Sequence, residues 1–257
     1  MSSPPGAPPV HDAVGEATLE LLDAFPGYTD FLWSRVAALV EMRGHVLEIG
    51  CGIGSITRRI LRSPAVVGLD AFDIEPAYVD RVGREIRDAR LKASCAGAED
   101  FEPEPGAYDR VVSINVIEHV EDDRAALANI ARALRPGGEA AVLVPAHPFL
   151  YSSLDRGLSH FRRYSRAALA ARAREVGLDP VRIVHFNPLG AAGWWVNGKL
   201  LGRTMLPAGQ VSAYARFGIS LSRFLDRWNP FPVGISLIAR MVKPADGLEN
   251  PVQGGWK

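Results

Sequence analysis

Cysteine is almost missing from this chain: Cys51 and Cys95 are the only two in 257 residues. They match no metal-ligand spacing and cannot staple a small secreted fold. A zinc ribbon and a disulfide scaffold are therefore excluded, no metal is expected, and a reducing cytoplasm fits best. Net charge is missing too. Lys and Arg number 29, as do Asp and Glu, so no overall field draws the chain to nucleic acid or to an acidic membrane. No apolar run reaches the roughly 20 residues that a membrane-spanning helix needs, and no stable membrane insertion is expected. Residues 1–14, rich in Pro and Ser, lack a basic start and an apolar centre; they read as a flexible tail and not as a signal peptide. Residues 245–257 are expected to form a second flexible tail.

With 47% hydrophobic and 23% charged residues, the chain has material for one globular domain with an embellishment. Its most informative stretch is residues 45–57, HVLEIGCGIGSIT. An apolar run, Val46-Leu47-Glu48-Ile49, enters three alternating glycines, Gly50, Gly52 and Gly54, and then residues able to open a helix. A strand, a tight glycine turn and a helix start form a cradle on which a nucleotide-like ligand can lie against bare backbone. A dinucleotide fingerprint needs its third glycine at position 55, where Ser55 stands, and a phosphate-binding P-loop needs a Lys that is absent here.

Downstream, apolar strands alternate with amphipathic helices. Ala71-Phe72-Asp73-Ile74-Glu75-Pro76 ends a second strand, and Pro76 opens a helix carrying Val79, Val82 and Ile86 on one face. Asp73 is thereby placed at the C-terminal end of a strand beside the glycine turn, where a carboxylate accepts hydrogen bonds from ribose hydroxyls; Asp70 is its rival. Residues 91–96, 108–115, 139–144 and 180–186 read as further strands. Residues 122–134 and 165–176 read as helices, with Ser165 as N-cap of the second. Such regular alternation predicts a doubly wound parallel sheet. Residues 187–234 are far too long for a hairpin before the last strand, 235–242. Within them Tyr214, Phe217, Leu221, Phe224 or Leu225, and Trp228 share a helical face, and residues 191–201, with Trp194 and Trp195, suggest another helix.

Two places carry ionisable groups in excess of structural need. One is Val116-Ile117-Glu118-His119-Val120, just after the fourth strand. The other is the loop after the fifth, with His147, Tyr151, Asp155, Arg156, His160, Arg162, Arg163 and Tyr164. Ligands bind at that edge of a doubly wound sheet. A histidine there takes a proton near neutrality without much tuning, and an arginine clamps a carboxylate or phosphate.

Several of these segments resemble landmarks of the class I S-adenosylmethionine (SAM)-dependent methyltransferases. They are Glu48-x-Gly50-x-Gly52-x-Gly54, Asp73-Ile74-Glu75-Pro76, the segment ending in Glu118-His119-Val120, and Leu134-Arg135-Pro136-Gly137-Gly138. Residues 28–33 are similar to the aromatic segment near the methionine end of the cofactor. The segment running from Asp155 through His160 to Arg162-Arg163-Tyr164-Ser165 is similar to bacterial methyltransferases of types 11 and 12. The resemblance implies an α/β, Rossmann-like, seven-stranded, mostly parallel sheet with helices on both faces, built from residues 15–186 plus 235–244. Residues 187–234 would be a helical insertion acting as a lid or homodimer surface. It also implies SAM as cofactor, held by Tyr28, Glu48, Gly50, Cys51, Gly52, Gly54, Asp73, Ile74, Ala98, Glu99, Asp100 and Asn115. Gly97 stands where the family often has an Asp, which leaves the adenine to Glu99, Asp100 or backbone. The expected activity is in-line methyl transfer to an oxygen of a small, fairly apolar molecule such as a secondary metabolite or a lipid-like intermediate. His119, His147 and His160 compete as base, with Tyr151, Asp155, Arg163, Tyr164 and Trp194 as acceptor contacts. Methylation of nitrogen or carbon, other SAM-dependent chemistry such as methylation-triggered cyclisation, and a non-catalytic SAM-binding partner subunit are the alternatives.

Overall fold

A computed structural model describes residues 13–228 and 233–245 of the chain. The expected tails lie outside the described residues except for Ala13, Val14 and Ala245, and the first two already belong to a helix. Two helices lead in, α1 (Ala13–Asp23) and α2 (Pro26–Ala37), parted just before Pro26. Then follow β1 (Gly44–Ile49), α3 (Thr57–Ile60), β2 (Val66–Asp73), α4 (Pro76–Glu85), β3 (Leu91–Cys95), β4 (Tyr108–Ile114), α5 (Asp123–Ala133) and β5 (Leu134–Pro145). The last third holds α6 (Ser153–Gly157), α7 (Arg166–Glu175), β6 (Asp179–Phe186), α8 (Pro188–Trp194), α9 (Ala208–Ala213), α10 (Ile219–Trp228) and β7 (Ser236–Val242).

The seven strands form one sheet in the order β3-β2-β1-β4-β5-β7-β6. The first five run parallel, and β7 lies antiparallel between β5 and β6. Parallel strands are buried on both faces, which is why neighbouring apolar residues, Val46-Leu47 in β1 and Val111-Val112 in β4, are all buried. On one face Leu127 and Ile130 of α5 and Leu169 and Ala173 of α7 cover the sheet; on the other, Phe31, Leu32 and Val36 of α2 with Ile219 of α10 do so. Each fully buried side chain of this size contributes about 1.5–3 kcal/mol. Helix starts are capped as the residues suggest: Asp122 accepts from the N–H of Ala125 at 3.1 Å, and Ser165 from that of Ala168 at 3.1 Å.

Two sequence expectations need correction. The strand predicted from Glu139 begins at Leu134, because Pro136-Gly137-Gly138 is not a free turn. The Gly137 N–H donates to the Lys243 carbonyl at 2.8 Å and the Lys243 N–H to the Gly138 carbonyl at 3.0 Å, pairing the segment with the end of β7. In the insertion, Tyr214 does not share a face with Phe217, Leu221 and Phe224. Residues Tyr214–Gly218 wind as a π-helix, whose wider turn shifts the phase. Tyr214 is rotated inward, its ring edge-on to Tyr28 at 6.1 Å and its hydroxyl donating to Asn187 Oδ1 at 2.9 Å, while the other three stay exposed.

The first half of the insertion is fastened to the loop after β5 through one carboxylate. Asp155 is fully buried. It accepts hydrogen bonds from the Ser152 N–H at 2.9 Å, Arg163 Nε at 2.6 Å and Trp194 Nε1 at 3.0 Å, and it pairs with His160 Nδ1 at 3.0 Å. The Arg163 guanidinium also lies over the Trp194 ring, 4.7 Å from its centroid. Burial acts to raise the Asp155 carboxyl, but His160, Arg163 and Trp194 outweigh it and hold it below the ordinary carboxylate value. Removing one partner of a buried pair strands the other charge, at about 3–5 kcal/mol. Asp155→Ala is therefore expected to lower unfolding stability by about that amount in urea titration, with Asp155→Asn losing less; equal stability of all three proteins would show the network to be dispensable.

Candidate active site

The glycine turn sits at the C-terminal edge of the sheet between β1 and α3. All three glycines have positive φ, at 76°, 49° and 85°. At Gly50 a side chain is doubly forbidden, because a Cβ would also collide with Val116. Asp73, at the end of β2, ties this turn to its neighbour. Its Oδ2 accepts from the Gly52 N–H at 2.8 Å and its Oδ1 from the Glu75 N–H at 3.0 Å. Each oxygen keeps a lone pair for a further donor, and Asp70 is instead engaged by the Tyr108 hydroxyl at 2.7 Å.

Glu48, the last but one residue of β1, is buried and neither carboxylate oxygen has a hydrogen-bond partner. Burial pushes it up to about 8; the Thr57 hydroxyl is near enough to oppose that shift without reaching hydrogen-bonding geometry, and the Asp73 charge adds to it. Burying such a group without a partner is costly, and here it borders the turn. Cys51, buried beside these carboxylates, has its thiol pushed well above the usual range and stays protonated.

On the far side of Asp73, Ile74 stands 66% exposed and apolar next to Gly97 and Asp100. Ala98 and Glu99 are fixed by their carbonyls, which both accept from Asn129 Nδ2 at 3.0 Å. Asn115 adopts a left-handed conformation at the end of β4, its N–H bonded to the Leu143 carbonyl at 2.9 Å. Helix α1 lies over the turn: Leu19 faces Gly52, and Ser55 Oγ donates to Asp23 Oδ1 at 2.6 Å. Tyr28 packs on Phe186 and Tyr214, so its ring belongs to the face covered by α2 and α10.

Of the three histidines, the structure brings two together. His119 and His160 meet edge-to-face with ring centroids 4.7 Å apart. His160 is held on three sides: by Asp155 at Nδ1, by the Tyr151 hydroxyl donating to its carbonyl at 2.7 Å, and by the Phe161 N–H donating to the Glu118 carbonyl at 2.8 Å. With Nδ1–H turned to Asp155, Nε2 is left as the acceptor. His147 lies apart, stacked on His185 at 5.0 Å, with Nε2 buried and unpartnered; burial first, then Arg163, lowers its pKa and keeps it neutral.

Three residues expected to touch the acceptor are taken up internally, which corrects that expectation. Asp155 and Arg163 neutralise each other in the core, and the buried Tyr164 hydroxyl donates to Asp123 Oδ2 at 3.0 Å. Trp194 gives its N–H to Asp155 but its ring lines a cleft. Glu118, passed over in the sequence, is buried with both oxygens unpartnered and is pushed by burial up to about 8. Its carboxylate next to His119 was the available signal. Among the described residues, the ligand atoms of Glu118, His119 and His160 converge within 4.8 Å of one another. A cleft of about 60 Å³ lies between α1 and the insertion, with Leu21, Leu154, Trp194, Met205 and Leu206 on its walls; a more open hollow of about 500 Å³ beside it shares Leu21, Met205 and Leu206 and is bordered by residues 203–208.

A ligand that suits the first half of this site carries a vicinal diol for Asp73 and a cation for the unpartnered Glu48, the groups that SAM presents on its ribose and on its amino-acid end. The comparisons agree. Residues 46–138 match the model of the methyltransferase domain. An uncharacterized methyltransferase of Mycobacterium tuberculosis is 30% identical over 129 residues, which is 50% of this chain and 62% of the relative, so the match spans less than two thirds of that protein. A ubiquinone biosynthesis O-methyltransferase of Xanthomonas oryzae is 28% identical over 188 residues, 66% of this chain and 76% of the relative. In fold, a chain of the complex between the Haloferax volcanii Trm112 methyltransferase activator and a methyltransferase superposes with a TM-score of 0.67 at 15% identity, covering 93% of this chain and 100% of that one. With the glycine turn, the Asp73 carboxylate beside it and the strand order in place, residues 46–138 form a methyltransferase domain of the class I SAM-dependent type, with SAM as its cofactor.

Proposed function

We propose that the chain transfers a methyl group from SAM to an oxygen of a small, fairly apolar acceptor seated in the cleft between α1 and the insertion, with His160 as base. The observation that carries this is the Asp155–His160 dyad, which sets the His160 ring edge-to-face against His119 in the turn that follows β4. The cofactor supplies a methyl group already activated on a sulfonium. What the chain must add is alignment, worth about 7–11 kcal/mol in favourable cases, removal of the acceptor proton, and exclusion of water. Apolar walls at Leu21, Leu154 and Leu206 serve the last of these. An oxygen acceptor also agrees with the O-methyltransferase activity for which the Xanthomonas relative is named. Free Cys51 and Cys95 fit the cytoplasm.

A second reading is favoured by the unpartnered Glu118 carboxylate: a divalent cation held by Glu118, His119 and His160 would lower the acceptor's own pKa.

Two outcomes follow. His160→Ala is expected to leave calorimetric SAM binding intact and to cost about 10²–10⁴-fold in turnover, whereas His147→Ala spares both. If a chelator stops the wild-type enzyme and a divalent ion restores it, the metal reading replaces the base. The second concerns Glu48. Without ligand it is protonated up to about 8, and a cationic group beside it drives the proton off. SAM affinity should therefore rise as pH climbs toward that value, with proton release visible as a buffer-dependent binding enthalpy. Glu48→Gln should abolish the release and weaken binding about tenfold or more; unchanged release in the variant would remove Glu48 from cofactor binding.

A further inference from the structure

The chain's charges cancel over its whole length but not over its parts. Residues 187–234 hold five basic side chains, Lys199, Arg203, Arg216, Arg223 and Arg227, against one acid, Asp226. That acid is 1% exposed, with Oδ1 accepting from the Asn187 N–H at 3.0 Å and Oδ2 facing Arg35 at 4.0 Å. Among the described residues, the insertion's solvent-facing charges are thus all positive, with Lys199, Arg216 and Arg223 exposed.

Between these cations stand apolar side chains that the fold leaves uncovered. Phe217 is 72% exposed and Phe224 60%, with Leu221 between them at i, i+4 and i+7; Leu200, 62% exposed, and Trp195 belong to the neighbouring helical turn. Their exposure is not a failure of the core, because the opposite side of α10 is fully engaged. Ile219 is buried on the α2 face, and the buried Ser222 hydroxyl is shared with Tyr214 at 2.7 Å. A helix with one face packed, a second lined by Phe and Leu, and only basic residues at the border has the make-up of an interfacial membrane helix.

We propose that the insertion docks on an anionic phospholipid surface, with Phe217, Leu221 and Phe224 entering the headgroup layer and Lys199, Arg216 and Arg223 meeting lipid phosphates. A second copy of the chain is the poorer occupant, since a two-fold contact would set this all-positive face against itself. Among the described residues no helix is long and apolar enough to cross a membrane, and a surface contact needs none. Docking also brings the hollow beside the cleft near the lipid, because residues 203–208 lie between the two exposed patches in sequence. This last point rests on the acceptor reading above, while docking itself does not.

Co-sedimentation of the full chain with vesicles tests it, using phosphatidylcholine alone and phosphatidylcholine mixed with phosphatidylglycerol. Binding is expected to the mixed vesicles only and to weaken with added salt. Lys199→Glu with Arg216→Glu should lower the partition coefficient by roughly fivefold or more for each cation lost. Phe217→Ser with Phe224→Ser should lower it at least tenfold while SAM binding, which reports the fold, is kept. Absence of binding to the anionic vesicles, or binding that neither pair of substitutions changes, would overturn docking. So would a dimer in sedimentation velocity that the Phe pair dissolves without any vesicle binding, which would give the face to a second copy. Loss of methyl transfer with vesicle binding intact would sink the acceptor reading alone.

Discussion

One buried carboxylate fastens the helical insertion to the loop after β5. Asp155 gathers donors from two stretches of the chain: Ser152, His160 and Arg163 in the loop after β5, and Trp194 in the insertion. A charge so deeply buried is tolerable only when its lone pairs are filled. That requirement positions a histidine, an aromatic wall of the cleft and the root of the insertion together. Two glycines record how tightly they close, since a Cβ at Gly198 would strike Ser152 and one at Gly157 the Thr204 carbonyl.

The cofactor half is built on a different principle, and this explains why it was legible in the sequence. Gly50, Gly52 and Gly54 are demanded by local backbone geometry, and Asp73 is placed by its position at a strand end beside that turn. Such constraints are short-range, so they appear as a motif. The alternation of strands and helices was equally readable, because burial on both faces of a parallel sheet leaves apolar residues side by side. Arg59 was not legible. It is buried and holds α2 to the turn by donating to Asp30 at 2.9 Å and to the Ser55 carbonyl at 2.6 Å, and nothing in its neighbourhood of sequence announces those partners.

The loop after β5 shows where such legibility ends. Its excess of polar groups was visible, and the structure does assemble them, but composition could not say that Asp155 and Arg163 would be spent on each other and Tyr164 on Asp123. Long-range pairing decides that, through Trp194 and Asp123. The phase of α10 was hidden for a related reason: a single π turn at Tyr214–Gly218 separates residues that an ideal helix would put together. Whole-chain neutrality hid a basic insertion that an acidic remainder cancels.

Helix α1 touches both halves. Leu19 faces Gly52 over the glycine turn, while Thr18 and Leu21 of the same helix line the apolar cleft. Residues one and two positions apart cannot be withdrawn separately from a rigid helix. A displacement of α1 would therefore open the glycine turn and the apolar cleft together, so the two cannot be uncovered one without the other.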